Sequence, residues 1–243
     1  MSTVVAYTWA RDPGNATVRD DGTVDWRDTR TVAGDDDPAA MAVGLQIAGG
    51  GDLVGLTLGE GDASWGLARG AARALQVTDA PTSSDDAATA ALLAAGVRSI
   101  GDAEVVVVGD SERHPGVAAT LAGLLGWPAL LGVTTATLVE GRLNVVRTAG
   151  DVEETVSVPV PAVLGVAAAS AESRVPGMKE LLAARKRPVA KTTVAELGVA
   201  EKAAPELRSS RRPEHEGARV LTGDPAQVAG ELVAALRADG VLS

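Results

Sequence analysis

The side chains able to do proton or metal chemistry in this sequence are few and scattered. Histidine occurs only as His114 and His215, and cysteine does not occur, which excludes thiol catalysis, disulfides and Cys-ligated zinc. Neither histidine stands near a nucleophile pattern such as GxSxG, and no HExxH spacing is present, so His114 reads as a loop residue. Three consecutive acids, Asp35-Asp36-Asp37, could ligate a cation. They run straight into Pro38, however, and negative charge ahead of a proline is what the first turn of a helix favours. The stronger lead is Gly109. It follows the valine run Val105 to Val108 and precedes a polar loop, Asp110 to His114, then Pro115 and an apolar stretch to Leu125. A strand that ends in glycine and passes into a helix sets backbone N–H groups at the carboxyl edge of a parallel sheet, where phosphates are commonly held. Gly109 and Gly116 form neither a Walker loop nor a GxGxxG fingerprint, so plain α/β architecture stays open beside a ligand site.

The elements around this unit fix the class. A chain of 243 residues with 46% hydrophobic content is large enough for one domain with appendages or for two small domains. That content is almost all Ala, Val and Leu. Phe is absent and Tyr occurs once, so the stacking platforms of single-strand nucleic-acid binders are missing. A formal charge of −10 opposes phosphate-backbone binding. No basic, apolar leader is visible at Met1 to Asp12, and no apolar run approaches a membrane span, so we expect a cytoplasmic protein with no membrane insertion.

In chain order, Thr3 to Trp9 predicts a buried strand. A surface hairpin follows, turning at Asp20-Asp21-Gly22, and Asp35-Asp36-Asp37-Pro38 predicts the start of a helix, with Met41, Leu45 and Ala48 at helical spacing. Asp52 to Leu58 predicts the second strand, Ser64 to Leu75 a helix, and Leu75 to Thr78 a short strand. The next helix spans Ser84 to Ala95, with Ser83 or Ser84 as cap and Gly96 as stop. Helices alternating with strands in this way imply a mostly parallel, doubly wound α/β sheet. Beyond Val133 the rhythm changes. A hairpin turns at Glu140-Gly141, and two strands, Thr155 to Val158 and Ala162 to Val166, flank Pro159-Val160-Pro161, marking an edge or a crossing. Gly177 to Ala184 predicts a short helix ending in Arg185-Lys186-Arg187. The division expected is a nucleotide-binding-type domain over 1–190 and, over 191–243, an extended arm with a closing helix. The arm, Lys191 to Gly217, is charged and lacks apolar periodicity. Its Arg211-Arg212 is surrounded by acids, which favours a partner or solvent over nucleic acid. Arg219 to Leu221 predicts a strand-like piece, and Asp224-Pro225 a helix to Ala238 with Val228, Leu232 and Leu236 on one face.

The segment Arg142 to Val166, with Arg147, Glu154 and Pro161-Ala162-Val163, resembles the signature of the electron transfer flavoprotein beta subunit family. Val5-Ala6, Leu58-Gly59, Leu121 to Pro128 and Ala184 to Pro188 extend the resemblance over nearly the whole chain. It implies an adenine nucleotide alpha hydrolase-like fold and a heterodimer with an alpha subunit that holds most of an FAD and is embraced by the arm. It also implies electron transfer from a flavoprotein dehydrogenase to a downstream acceptor, without catalytic residues of the chain's own. AMP, with a structural role, would lie at Ala6, Leu58, Gly109, Asp110, Ser111, Val117 and Ala118. Arg147 and Glu154 would lie toward the flavin, and Met178 would lie where dehydrogenases dock.

Several positions depart from the family pattern. Thr8 stands near the usual lysine, Gly34-Asp35-Asp36-Asp37 replaces Asn-Pro-Phe-Asp, and Val117-Ala118 replaces a small-residue-Gly pair. Ser173-Arg174-Val175 replaces Pro-Arg-Tyr. A methyl at Ala118, with Asp35, Asp110 and Glu112 nearby, disfavours a bound phosphate. The alternatives are a nucleotide-binding module of the universal-stress-protein type, a nucleotide-dependent hydrolase whose catalytic set is not apparent, and a scaffold subunit without nucleotide.

Overall fold

The computed structural model describes residues 1–81, 85–110, 114–167, 174–200, 208–209, 211 and 218–242. Thirteen strands and six α-helices follow in chain order. They are β1 (Ser2–Tyr7), β2 (Trp9–Arg11), β3 (Thr17–Val18), β4 (Val24–Asp25), β5 (Thr31–Ala33), α1 (Asp37–Ala48), β6 (Leu53–Leu58), α2 (Ser64–Ala68) and β7 (Arg73–Val77). After these come α3 (Asp86–Ile100), β8 (Ala103–Gly109), α4 (Val117–Leu125), β9 (Ala129–Val139), β10 (Arg142–Ala149), β11 (Val152–Pro159), β12 (Ala162–Val166), α5 (Met178–Ala184), β13 (Ala190–Thr192) and α6 (Pro225–Ala238).

Nine strands form one sheet in the order β11-β10-β9-β12-β8-β1-β6-β7-β13. All neighbours from β9 to β13 across this order are parallel, while β9, β10 and β11 run antiparallel as a meander at one edge. The chain steps outward from β1 through β6 to β7, then returns through α3 to place β8 on the other side of β1. That reversal defines the doubly wound fold expected from the sequence, with its topological switch between β1 and β8.

Alternation along the central strands builds two cores. Val5, Val105, Val107, Ala162 and Leu164 face α1, while Val4, Ala6, Val106, Val108 and Val163 face α3 and α4. Strands buried on both faces need continuous apolar runs, and Val105 to Val108 is such a run. Because these side chains are small, helices approach closely. A Cβ on Gly96 would lie 2.9 Å from the Leu56 side chain, and one on Gly44 would lie 2.3 Å from Val5.

Several local expectations are revised. The first strand ends at Tyr7, and Trp9–Arg11 leaves the main sheet to pair with β5. The helix at Ser64 closes at Ala68 because the chain turns at Gly70, whose φ of 111° ordinary residues rarely adopt. Gly96 lies inside α3, which ends at Gly101. The cap of α3 is Asp85, whose carboxylate accepts the Ala87 and Ala88 N–H groups; Ser83 and Ser84 lie outside the described residues. Helix α4 begins at Val117 rather than Pro115. No strand forms at Arg219 to Leu221. The start of the segment expected as an arm is β13, which pairs with β7, and Val194, Leu197 and Val199 pack on the α3 side of the core. The hairpin at Glu140-Gly141 and the helix after Asp224 form as expected. Asp224 caps α6 by accepting from Ala226 and Gln227.

The chain divides into two compact units, Met1–Thr17 with Asp25–Arg208, and Val18–Val24 with Ser209–Ser243. The first carries the sheet. In the second, α6 has no buried residue, and Leu232 and Val233 are exposed.

Candidate functional site

In open α/β sheets ligands sit at the carboxyl ends of strands, at the switch point. Here that crevice lies beyond Tyr7 and Gly109, and the chain's own aspartates meet it. Asp37, buried at the start of α1, accepts the Thr8 N–H at 3.2 Å and the Gly34 N–H at 2.8 Å. Asp36 lies against Gly109, where a Cβ would fall 2.8 Å from the Asp36 side chain. Asp110 donates its N–H to the Val166 carbonyl at 2.8 Å, and its carboxylate accepts the Gly132 N–H at 3.2 Å.

The N-terminus of α4 is met in the same way. Gly116 donates its N–H to Asp86 Oδ2 at 2.8 Å, and the Val117 N–H goes to the His114 carbonyl at 3.2 Å. The other oxygen of Asp86 lies 3.1 Å from His114 Nδ1. His114 in turn lines an open cleft of about 620 Å³ that also meets Thr8, Trp9, Leu58, Glu60, Asp79 and Pro81.

Beside the cleft, three of the five aromatic residues, Tyr7, Trp9 and Trp65, gather. Trp9 donates to Thr57 Oγ1 at 3.0 Å, and Thr57 donates to the Tyr7 carbonyl at 2.9 Å. Tyr7 donates to the Ala63 carbonyl at 2.9 Å, and burial raises its pKa. The Arg69 guanidinium lies 3.9 Å over the Trp65 ring. Its Nε is buried without a hydrogen bond, and desolvation lowers its pKa while the negative field of Asp37 opposes that shift. Burial pushes the Asp37 carboxyl up to about 7, against the two backbone N–H groups it accepts.

Of the described residues expected around AMP, Leu58 alone lines the cleft. Ala6, Val117 and Ala118 are buried in the core on the α3 and α4 side, Gly109 and Asp110 lie at the switch point, and Ser111 lies outside the described residues. Among the described residues of this turn, the Gly116 and Val117 N–H groups are engaged internally, by Asp86 and by the His114 carbonyl. Arg147 and Glu154 stand directly opposite on β10 and β11 and form an ion pair at 2.7 Å. They lie in the antiparallel meander, on the other side of β12 from the switch point. Met178 opens α5 and is 71% exposed. The sequence reading did not single out Asp86 or the tie between Asp37 and Thr8. Both join residues about thirty positions apart, and no local pattern marks them. No group of three or more His, Cys, Asp or Glu that could hold a metal occurs among the described residues. Nor is any helix there long and apolar enough to cross a membrane.

The fold and its switch-point crevice define a doubly wound α/β protein of the nucleotide-binding type. A family model described as the electron transfer flavoprotein domain matches residues 30–197, most of the sheet-bearing unit. The chain belongs to the electron transfer flavoprotein family, whose members in general carry electrons and work with partner subunits rather than act as catalysts.

Proposed function

We propose that this chain is the beta-type subunit of a heterodimeric electron transfer flavoprotein, helping an alpha subunit hold FAD and passing electrons from a flavoprotein dehydrogenase to a downstream acceptor. The observation that carries the reading is α6. It is a well-capped helix of 14 residues without a buried side chain, in a family of paired subunits. An amphipathic helix of that length gains most of its stability from covering its apolar face, and a partner subunit supplies the cover. The first residues of segment 191–217 belong to the sheet through β13.

Two further features support the assignment. Arg147 and Glu154, the two positions that the resemblance puts toward the flavin, are joined as an ion pair on the half-exposed meander, which holds the guanidinium in one orientation there. Val175, Met178 and Leu182 form an exposed apolar run at and before α5, with exposures of 83%, 71% and 51%. An unbranched thioether at its centre suits a surface that must adapt to a docking dehydrogenase.

Co-expression with an electron transfer flavoprotein alpha subunit tests the reading. A stable heterodimer carrying FAD in equal amount to protein, reducible by a flavoprotein dehydrogenase, is the expected outcome. A chain that stays alone, with no flavin in any fraction, overturns it.

A further inference from the structure

We infer that the nucleotide position of this fold is filled by the chain's own carboxylates, so that the protein works without a bound nucleoside phosphate in this subunit. Asp86 carries the inference. Asp85, its neighbour, already caps α3 by accepting the Ala87 and Ala88 N–H groups. Asp86 is therefore available to reach across to α4, where one oxygen accepts the Gly116 N–H at 2.8 Å and the other meets His114 at 3.1 Å. A Cβ on Gly116 would lie 2.8 Å from that carboxylate. An anion at a helix N-terminus is stabilised by the converging N–H groups and the helix dipole, and a carboxylate meets that demand as a phosphate does.

Two other carboxylates are engaged internally near the switch point. Asp37 takes the Thr8 and Gly34 N–H groups and Asp110 takes that of Gly132, while the Asp36 Cβ packs against Gly109. A phosphate entering here would have to displace Asp86 and then sit beside it. The carboxylates of Glu60 and Asp79 along the adjoining cleft add to the repulsion. The inference does not depend on the flavin reading. It concerns this chain's fold alone, and the ordering role that the resemblance assigns to AMP passes to internal hydrogen bonds.

The test is binding of AMP to the full chain by equilibrium dialysis, with nucleotide released on denaturation measured in parallel and folding checked by circular dichroism. The native chain is expected to release no AMP and to bind it no more tightly than millimolar. Asp86→Asn, which removes the charge but keeps an acceptor for Gly116, should gain less than Asp86→Ala, which frees the N–H. The Ala variant should bind at least about ten-fold more tightly than native. Native protein that retains AMP through purification overturns the inference without recourse to any variant. So do folded variants that bind no better than native. None of these readouts involves flavin or a partner, so failure here is distinct from failure of the electron-carrier reading.

Discussion

The carboxylate of Asp37 accepts the backbone N–H of Thr8, joining the start of α1 to the residue after β1 across 29 positions of sequence. The same oxygen takes the Gly34 N–H, while Gly34 returns a bond to the Thr8 carbonyl at 3.3 Å. A side chain thus closes the switch-point turn from inside. The cost is a desolvated carboxyl.

That cost sets a pH dependence. With its pKa raised to about 7 by burial, folded Asp37 holds a proton more tightly than the unfolded chain does. Its contribution to stability is therefore fully present below the unfolded value of about 3.9 and is lost as pH rises toward and through 7. Asp37→Asn keeps an acceptor oxygen and removes the titration. The stability of D37N relative to native should rise between about pH 4 and 7, by up to about 4 kcal/mol, in urea unfolding at several pH values. A difference that stays flat with pH contradicts the burial argument.

Gly44→Ala sets two effects against each other. Helix propensity favours Ala by about 1 kcal/mol, whereas overpacking costs typically about 1–3 kcal/mol. A Cβ there would lie 2.3 Å from Val5 in the fully buried centre of the sheet, with Leu53 at 3.3 Å, so overpacking wins. G44A should lower the unfolding midpoint, and a neutral or stabilised variant would mean that α1 lifts from β1 easily.

Gly61 sits under the indole of Trp9, where a Cβ would fall 2.0 Å from the ring. Gly61→Ala should expel the indole from its place, breaking the bond from its N–H to Thr57. A red shift of tryptophan emission, absent in the G61A/W9F double variant, would report the displacement.

Leu232 on α6 is 49% exposed in a helix with no buried residue. Leu232→Asp should leave thermal unfolding of the isolated chain within about 0.5 kcal/mol of native, as exposed substitutions usually do. Affinity for the alpha subunit should fall by at least about ten-fold, the loss expected when an apolar anchor becomes charged at a covered surface. Unchanged affinity would move the partner contact away from α6.

Met178→Ala should likewise spare stability, since its side chain stands in solvent. In the assembled flavoprotein it should raise the KM for reduction by a dehydrogenase with little change in kcat, because only docking contacts are removed. An equal loss in both would place Met178 nearer the electron path.

Much of this architecture was legible in the residues. The valines of β8, the Glu140-Gly141 turn and the Asp224-Pro225 helix start are local signals, whereas the acids ahead of Pro38 open a helix but cap it with no side-chain bond. Such signals specify local structure because strand burial, capping and turn geometry depend on neighbours in sequence. Glycine was less legible. Gly96 has the composition of a helix stop but serves as a close-packing site against Leu56, and only the partner strand distinguishes the two roles. By itself, then, the sequence determined the class of fold and the order of its elements. The tertiary structure alone decided that Asp86 takes the N–H of Gly116 just ahead of a neighbouring helix, that Asp37 closes the β1 turn, and that Arg147 meets Glu154. Such pairings follow from crossovers and strand register, which bring distant residues within hydrogen-bond reach and leave no periodic trace along the chain.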